Sequence, residues 1–377
     1  MSAPSETYID PASGNDGNPG TKASPYKTVQ FALDNTTRDA TNGDRFNVKA
    51  GSTDVLSTKL VLTTYGSPTQ AAPILLQGYT TNEGDGGIGD IDGGGSSVFN
   101  TSSKNAFHVI DMVMHNCGAN QIFRAGADCV ISRSEFHKMT STSVAVQVTT
   151  RSQIIDCYIH DFTGAGASVT NGTIAYCFID KSHTTDTNPA ITTSLTGTVH
   201  HNILTLSGAT NKASGIAQNG SGVFTHNNSI WSNAGDGVGI KVAGNINGGT
   251  VYNNLVEGFS GSGGIGIDTI TTSRITAFYN SINDCETEFS LSHDEVTPYG
   301  NNETLSASPF VDATNNDFTP DDTGGVLTGF IEQFMGPSGT PASFAARGAV
   351  EPECAAAAAV GGGRYRGIVP GGGLGAS

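Results

Sequence analysis

Positive charge is scarce in this chain: of 377 residues, 18 are Lys or Arg against 34 Asp or Glu, a formal net charge of −16. Phosphate binding needs clustered cations, so nucleic acid is not expected as a partner, and the acidic surplus serves solubility. No run of 18 apolar residues occurs, so membrane insertion through a helix is not expected. One Trp and five Met argue against a large helical core, and no stretch keeps a 3.6-residue apolar period for ten positions. Six Cys in so long a chain do not make a disulfide framework, and Cys157 and Cys177 read as small packed thiols. The opening Met1-Ser-Ala-Pro-Ser-Glu-Thr7 lacks the basic and apolar segments of a secretory signal. The expected location is therefore a virion surface or the extracellular space, reached by another route. P-loop and Gly-x-Ser-x-Gly motifs are also missing, as is a credible Cys-His dyad.

What the chain does have is glycine, 50 residues of it, and a repeat. Ser134-Glu-Phe136, Cys157-Tyr-Ile159, Cys177-Phe-Ile179, Asn202-Ile-Leu204, Asn228-Ser-Ile230, Asn254-Leu-Val256 and Asn280-Ser-Ile282 begin 23, 20, 25, 26, 26 and 26 residues apart. A fixed period of this length means a solenoid. Each repeat holds short Val/Ile/Phe runs broken by Gly, Asn, Ser and Thr. That excludes helical repeats, and the Leu-x-x-Leu-x-Leu signature of leucine-rich repeats is absent. A parallel β-helix remains, an all-β fold in which Asn202, Asn228, Asn254 and Asn280 form an inward ladder that satisfies the polar groups of a turn.

Ahead of the repeats, Tyr8 to Gly20 reads as a strand and polar turns, and Ser24 to Asp34 as a capped helix with Val29, Ala32 and Leu33 inward. Such a helix would close the open end of the coil. Phe46–Val48, Lys59–Leu62 and Pro73–Gly78 read as first-rung strands. Asp85 to Ser97 is rich in Gly and Asp but lacks the Glu at the twelfth position of an EF-hand loop. A plain surface loop is expected there, and no cofactor or metal, since calcium has no support.

The segment Tyr8-Ile-Asp-Pro-Ala-Ser-Gly-Asn-Asp-Gly-Asn-Pro-Gly-Thr-Lys-Ala-Ser-Pro-Tyr-Lys-Thr-Val-Gln30 resembles the N-terminal motif of right-handed parallel β-helix proteins of the pectate-lyase-like superfamily. Ala307 to Phe318 and Arg347-Gly-Ala-Val-Glu-Pro352 are similar to its closing segment. The resemblance implies a single-stranded right-handed β-helix. Its expected parts are an N-terminal cap and first coils at 1–100, repeats at 101–290, a C-terminal cap at 291–352 and a Gly/Ala-rich tail at 353–377. For function it implies lyases, glycoside hydrolases, adhesins and phage tail spikes alike.

Glycoside hydrolases of this fold would carry Asn-Thr-Asp and Asp-Asp, Gly-His-Gly and Arg-Ile-Lys. None stands at a suitable place, and the double Asp, Asp321-Asp322, follows the repeats. A lyase needs a base and a cation to hold the charge of the carbanion formed beside a uronate carboxylate. Registering the repeats puts His137, His160 and Asp180 in one column and Lys138, Asp161 and Lys181 in the next, about 4.8 Å apart per rung. His160 would be the base and Lys138 or Lys181 the neutralising cation; the alternative is a ladder of exposed ion pairs. His183 and Asp186 would extend this patch. His200, His201 and His226 read as turn or stacking residues rather than metal ligands. Tyr158, Trp231 and Tyr252, with Phe178, are candidates for stacking on sugar rings.

In the tail, Arg364, Tyr365, Arg366, Ile368 and Val369 lie between Gly runs and read as a docking peptide. The expected function is a structural or receptor-binding surface protein of a phage-like particle, a tail spike or head decoration. Its expected partners are a larger protein assembly, a homo-oligomer of trimer type and cell-surface polysaccharide. A polysaccharide lyase is the alternative and a bacterial surface adhesin a third, so whether the chain is an enzyme stays open.

Overall fold

The computed structural model describes residues 4–62, 68–101, 104–118, 120–182, 187–208, 213–233, 235–243, 247–269, 274–291 and 302–320. Three parallel sheets of 11, 11 and 9 strands run the length of a β-helix. Each rung contributes one strand to each sheet in turn, as in Ser152–Ile155, Tyr158–His160 and Ala165–Val169. No helix of the described residues is long and apolar enough to cross a membrane.

The corner between the first and second sheets explains the repeat. A single left-handed residue makes the turn in eight rungs: Asp111, Arg133, Asp156, Tyr176, His201, Asn227, Asn253 and Tyr279, with φ between 47° and 56°. The next residue points inward. At Asn228 the side-chain amide donates to Val199 O (3.1 Å), His226 O (3.0 Å) and Asn254 Oδ1 (2.9 Å), while Oδ1 accepts from the backbone and side chain of Asn202 at 3.1 and 3.0 Å. Asn202, Asn254 and Asn280 repeat the pattern, and all four are fully buried. Asn302 extends the column by one rung, accepting from Asn280 N at 3.0 Å. Ser134 fills the same place with a hydroxyl, accepting from Met112 N at 3.2 Å. Cys157 and Cys177 fill it as buried free thiols.

Inside, Ile131, Ile154, Ile174, Val199 and Val251 face Phe136, Ile159, Ile179, Leu204 and Ile230, all fully buried. The third sheet opposes the latter with glycine where space runs out. A Cβ on Gly215 would stand 2.8 Å from Ile230 Cγ2, and one on Gly239 2.4 Å from Val256 Cγ1.

The N-terminal segments differ in detail from the sequence expectation. The helix is Val29–Asn35, capped by Thr28, whose Oγ1 accepts from Phe31 N at 3.3 Å. Pro25 and its neighbours stay extended, since a residue before proline disfavours the helical region. Lys59–Leu62 is not a strand: Leu60 makes an isolated bridge to Phe99, and Val61 exchanges hydrogen bonds with the Gln30 side chain. Within the Gly/Asp-rich stretch, Gly89–Asp92 is a strand of the second sheet. Asp85 ahead of it accepts backbone N–H groups of Thr80, Thr81, Asn82 and Gly87 at 2.7–3.0 Å. These donors hold its carboxyl far below the usual range, against the small opposing effect of burial.

At the other end, Leu305 to Phe318 folds back across the second sheet. Leu305, Phe310, Ala313 and Phe318 pack with Phe178 and Leu255, against Tyr158, Ile203 and Trp231. His183, Asp186, Asp321, Asp322, Arg347–Pro352 and the docking candidates Arg364, Tyr365, Arg366, Ile368 and Val369 lie outside the described residues.

Candidate functional site on the outer face of the second sheet

Alternation along the strands of the second sheet sends every second side chain outward, and parallel register stacks those side chains rung on rung. One column runs Asp92, His115, His137, His160, Asp180, Thr205, Trp231. Beside it run Asp90, Val113, Glu135, Tyr158 and Phe178. The three imidazoles stack with ring centroids 4.9 Å apart at each step and planes within 13° and 4°.

Carboxylates surround them. Asp90 Oδ1 lies 3.0 Å from His115 Nε2. Glu135 Oε1 lies 2.9 Å from His160 Nε2 and 3.7 Å from His137 Nε2. His160 Nδ1 faces Asp161 Oδ2 at 3.2 Å, and Thr205 Oγ1 donates to Asp180 at 2.7 Å. The bond from His160 holds the Glu135 carboxyl below its usual range, outweighing burial. Burial pushes His137 down, aided by repulsion from His160, His115 and Lys138 and opposed by Glu135. At neutral pH the site therefore presents an ionised carboxylate beside a neutral imidazole.

His137, His160 and Asp180 come together as the register of the repeats requires, but Lys181 does not join them. In the rungs above, Asn116, Lys138 and Asp161 take left-handed backbone (φ 60°, 55° and 51°), which inserts an outward residue before Cys117, Met139 and Phe162 turn in. No such residue follows Asp180, so ordinary alternation carries Lys181 inward. It is fully buried, donating to Gly164 O at 2.5 Å with its ammonium 5.1 Å from the Phe162 ring centre. Lys138 is exposed and makes no ion pair with Asp161, which bonds His160 instead.

The aromatic candidates also divide. Tyr158 stacks on His160 at 4.1 Å. Phe178, only 4% exposed, packs with the returning C-terminal segment, and Trp231 and Tyr158 lie half-buried against the same cluster. Tyr252 belongs to the first sheet, in a stack of His200, His226, Tyr252 and Phe278 with centroids 5.1, 4.7 and 5.1 Å apart. His115, Asp90 and Glu135 were not singled out from the sequence. The signal was present: His115 lies one period before His137, and Glu135 two residues before it, on the same face of the strand.

No family model and no curated protein matches the sequence. The backbone is similar to the crystal structure of the pectate lyase Pel9A, with TM-score 0.59 and 13% identity over 93% of this chain and 97% of that one. It is similar to a glycoside hydrolase at TM-score 0.54 and 10% identity, covering 80% and 95%. A rhamnogalacturonan lyase gives TM-score 0.51 and 11% identity, covering 90% and 96%. The chain has the pectate-lyase-like parallel β-helix fold. At such identities the likeness carries the β-helix and not its chemistry.

A pH effect on the β-helix follows from its other histidine group. His200 and His201 touch at 2.8 Å through their Nδ1 atoms, and His226 stacks on His200. Burial, then repulsion among the imidazoles, lowers His200 from 6.5 to about 4 and His201 to about 3, and burial lowers His226. A folded value below the unfolded one means that the unfolded chain binds protons that the native state excludes. The stability these groups contribute is full above pH 6.5 and is lost as pH falls through about 4 and 3. His201→Asn suits the left-handed backbone there (φ 54°). Its urea midpoint should fall less than that of the parent between pH 7 and 4, whatever the carboxylates add. Parallel curves would show that His201 titrates normally.

Proposed function

We propose that the chain binds glycan through the outer face of the second sheet, as a receptor-binding or decorating surface protein of a phage-like particle. The observation that supports this most is the continuous polar row from Asp92 to Asp180 with Tyr158 at its side. At about 4.8 Å per rung it spans roughly 19 Å, the length of several sugar rings. Carboxylates and imidazoles there can exchange hydrogen bonds with sugar hydroxyls, and the half-buried Tyr158, stacked on His160, adds an aromatic ring and a phenol hydroxyl to the same row.

Charge narrows the ligand. With Lys181 buried, Asp90, Asp92, Glu135, Asp161 and Asp180 stand against Lys138. A polyuronate would meet like charge, so a neutral glycan is favoured. Titration of neutral and acidic polysaccharides into the protein should give binding to the neutral class. Tyr158→Ala and Glu135→Gln should each weaken it about tenfold or more, the scale of a lost stacking contact or charged hydrogen bond of roughly 1.5–3 kcal/mol. Unchanged affinity in both variants would remove this face from consideration.

A second reading, a polysaccharide lyase, draws on the Glu135–His160 pair, in which His160 has the contact needed by an activated base. Unsaturated products from an acidic polysaccharide would establish it in place of the binding role. The particle setting has its own test. A chain ending at Pro352 should lose the oligomer or assembly of the full-length protein in native mass measurement; equal free monomers would count against the docking peptide.

A further inference from the structure

We infer that Glu135, His137 and His160 form a site for one zinc ion. Glu135 Oε1, His137 Nε2 and His160 Nε2 lie within 4.8 Å of one another on three side chains that are neither fully buried nor fully exposed. The two imidazole nitrogens face the same carboxylate oxygen, at 3.7 and 2.9 Å. Ligands 2.0–2.2 Å from a tetrahedral zinc stand roughly 3.3 Å apart, a separation these two distances bracket. The rings, stacked within 4° of parallel, would tilt toward each other on binding to bring both nitrogens onto a common centre.

Three features beyond proximity support a metal. The donor set is chemically suited, since imidazole and carboxylate oxygen are zinc ligands and a two-histidine, one-glutamate set leaves a fourth position open. His160 has the outer partner that ligating histidines need: Asp161 Oδ2 sits 3.2 Å from Nδ1 and would hold a proton there once zinc displaces the one that Nε2 donates to Glu135. An ion would also relieve the crowding of Asp90, Glu135, Asp161 and Asp180 on one face.

Zinc binding goes beyond the glycan reading and does not depend on it. Full-length protein stripped with a chelator would be titrated with zinc chloride by calorimetry. One ion per chain is expected. His137→Asn and His160→Asn should abolish the heat, Asp161→Asn should weaken affinity by about 10- to 100-fold as the loss of an outer partner does, and His201→Asn should leave it unchanged. Asn is compatible with the left-handed backbone at residue 161, and circular dichroism checks that each variant is folded. Anomalous scattering at the zinc edge from crystals of the parent protein gives a measurement free of mutation, with the peak expected between Glu135, His137 and His160. No heat in the parent, binding that survives His137→Asn with His160→Asn, or a peak elsewhere would overturn the site. Glycan titration of the chelator-stripped protein separates the two conclusions, since glycan bound without the ion leaves the glycan reading standing whatever the zinc titration gives.

Discussion

Replacing Asn228 by Leu should destabilise the β-helix by about 3 kcal/mol or more, read as a fall in urea midpoint, because several buried polar groups lose partners at roughly 1–3 kcal/mol each. Asn228 sits mid-column with no solvent exposure. Its Oδ1 is the acceptor for the backbone N–H and the side-chain amide of Asn202, and its own amide serves Val199 O and His226 O. Leucine offers none of these, and water cannot enter to replace them. The column also holds the left-handed turn at Asn227 (φ 54°). Serine retains an acceptor at this place, as Ser134 shows toward Met112 N, so Asn228→Ser should cost less than Asn228→Leu. Equal midpoints for Asn228→Leu and the parent would mean that the Asn column does not hold the corner.

Phe136→Ala should cost about 3–5 kcal/mol, the usual loss for deleting a large buried side chain and leaving its cavity. Phe136 is fully buried and faces Phe123 at 6.5 Å, in the same interior as the Phe99–Phe107 stack at 4.3 Å. Neighbouring rungs cannot close the gap, because hydrogen bonds to the strands on either side fix the spacing. Phe136 is also the residue between Glu135 and His137. Its loss should therefore weaken zinc binding as well as stability, whereas Ile267→Val, at a buried place on the third sheet, should lower stability by about 0.5–1.5 kcal/mol and spare zinc. A Phe136→Ala variant with an unchanged midpoint would show an interior able to repack.

Much of this arrangement was legible in the chain because a solenoid converts sequence period directly into position. The Asn column could be read from a spacing of 26 residues, and the 23-residue step from Ser134 to Cys157 likewise brings His137 and His160 to adjacent rungs. Asn302 escaped notice because it follows Asn280 by 22 residues instead of 26. Lys181 was misplaced for a local reason: one left-handed residue at Lys138 and at Asp161 reverses the side on which the next residue lies, and nothing in residue type marks its absence after Asp180. Trp231 and Phe178 have the alternation of exposed residues, and only the return of Leu305 to Phe318 covers them.

By itself, then, the sequence determined the parallel β-helix, the inward polar corner and the alignment of His137, His160 and Asp180, since all three follow from period and alternation, which are properties of local backbone geometry. The tertiary structure decided the burial of Lys181, the covering of Phe178 and Trp231, the separation of Tyr252 from Tyr158 and the meeting of Glu135 with two imidazoles. The burial of Lys181 depends on the absence of a left-handed residue after Asp180, and the covering of Phe178 and Trp231 on a segment from far along the chain; neither leaves a periodic trace, and the other two need the side-chain positions that the rung register alone does not give.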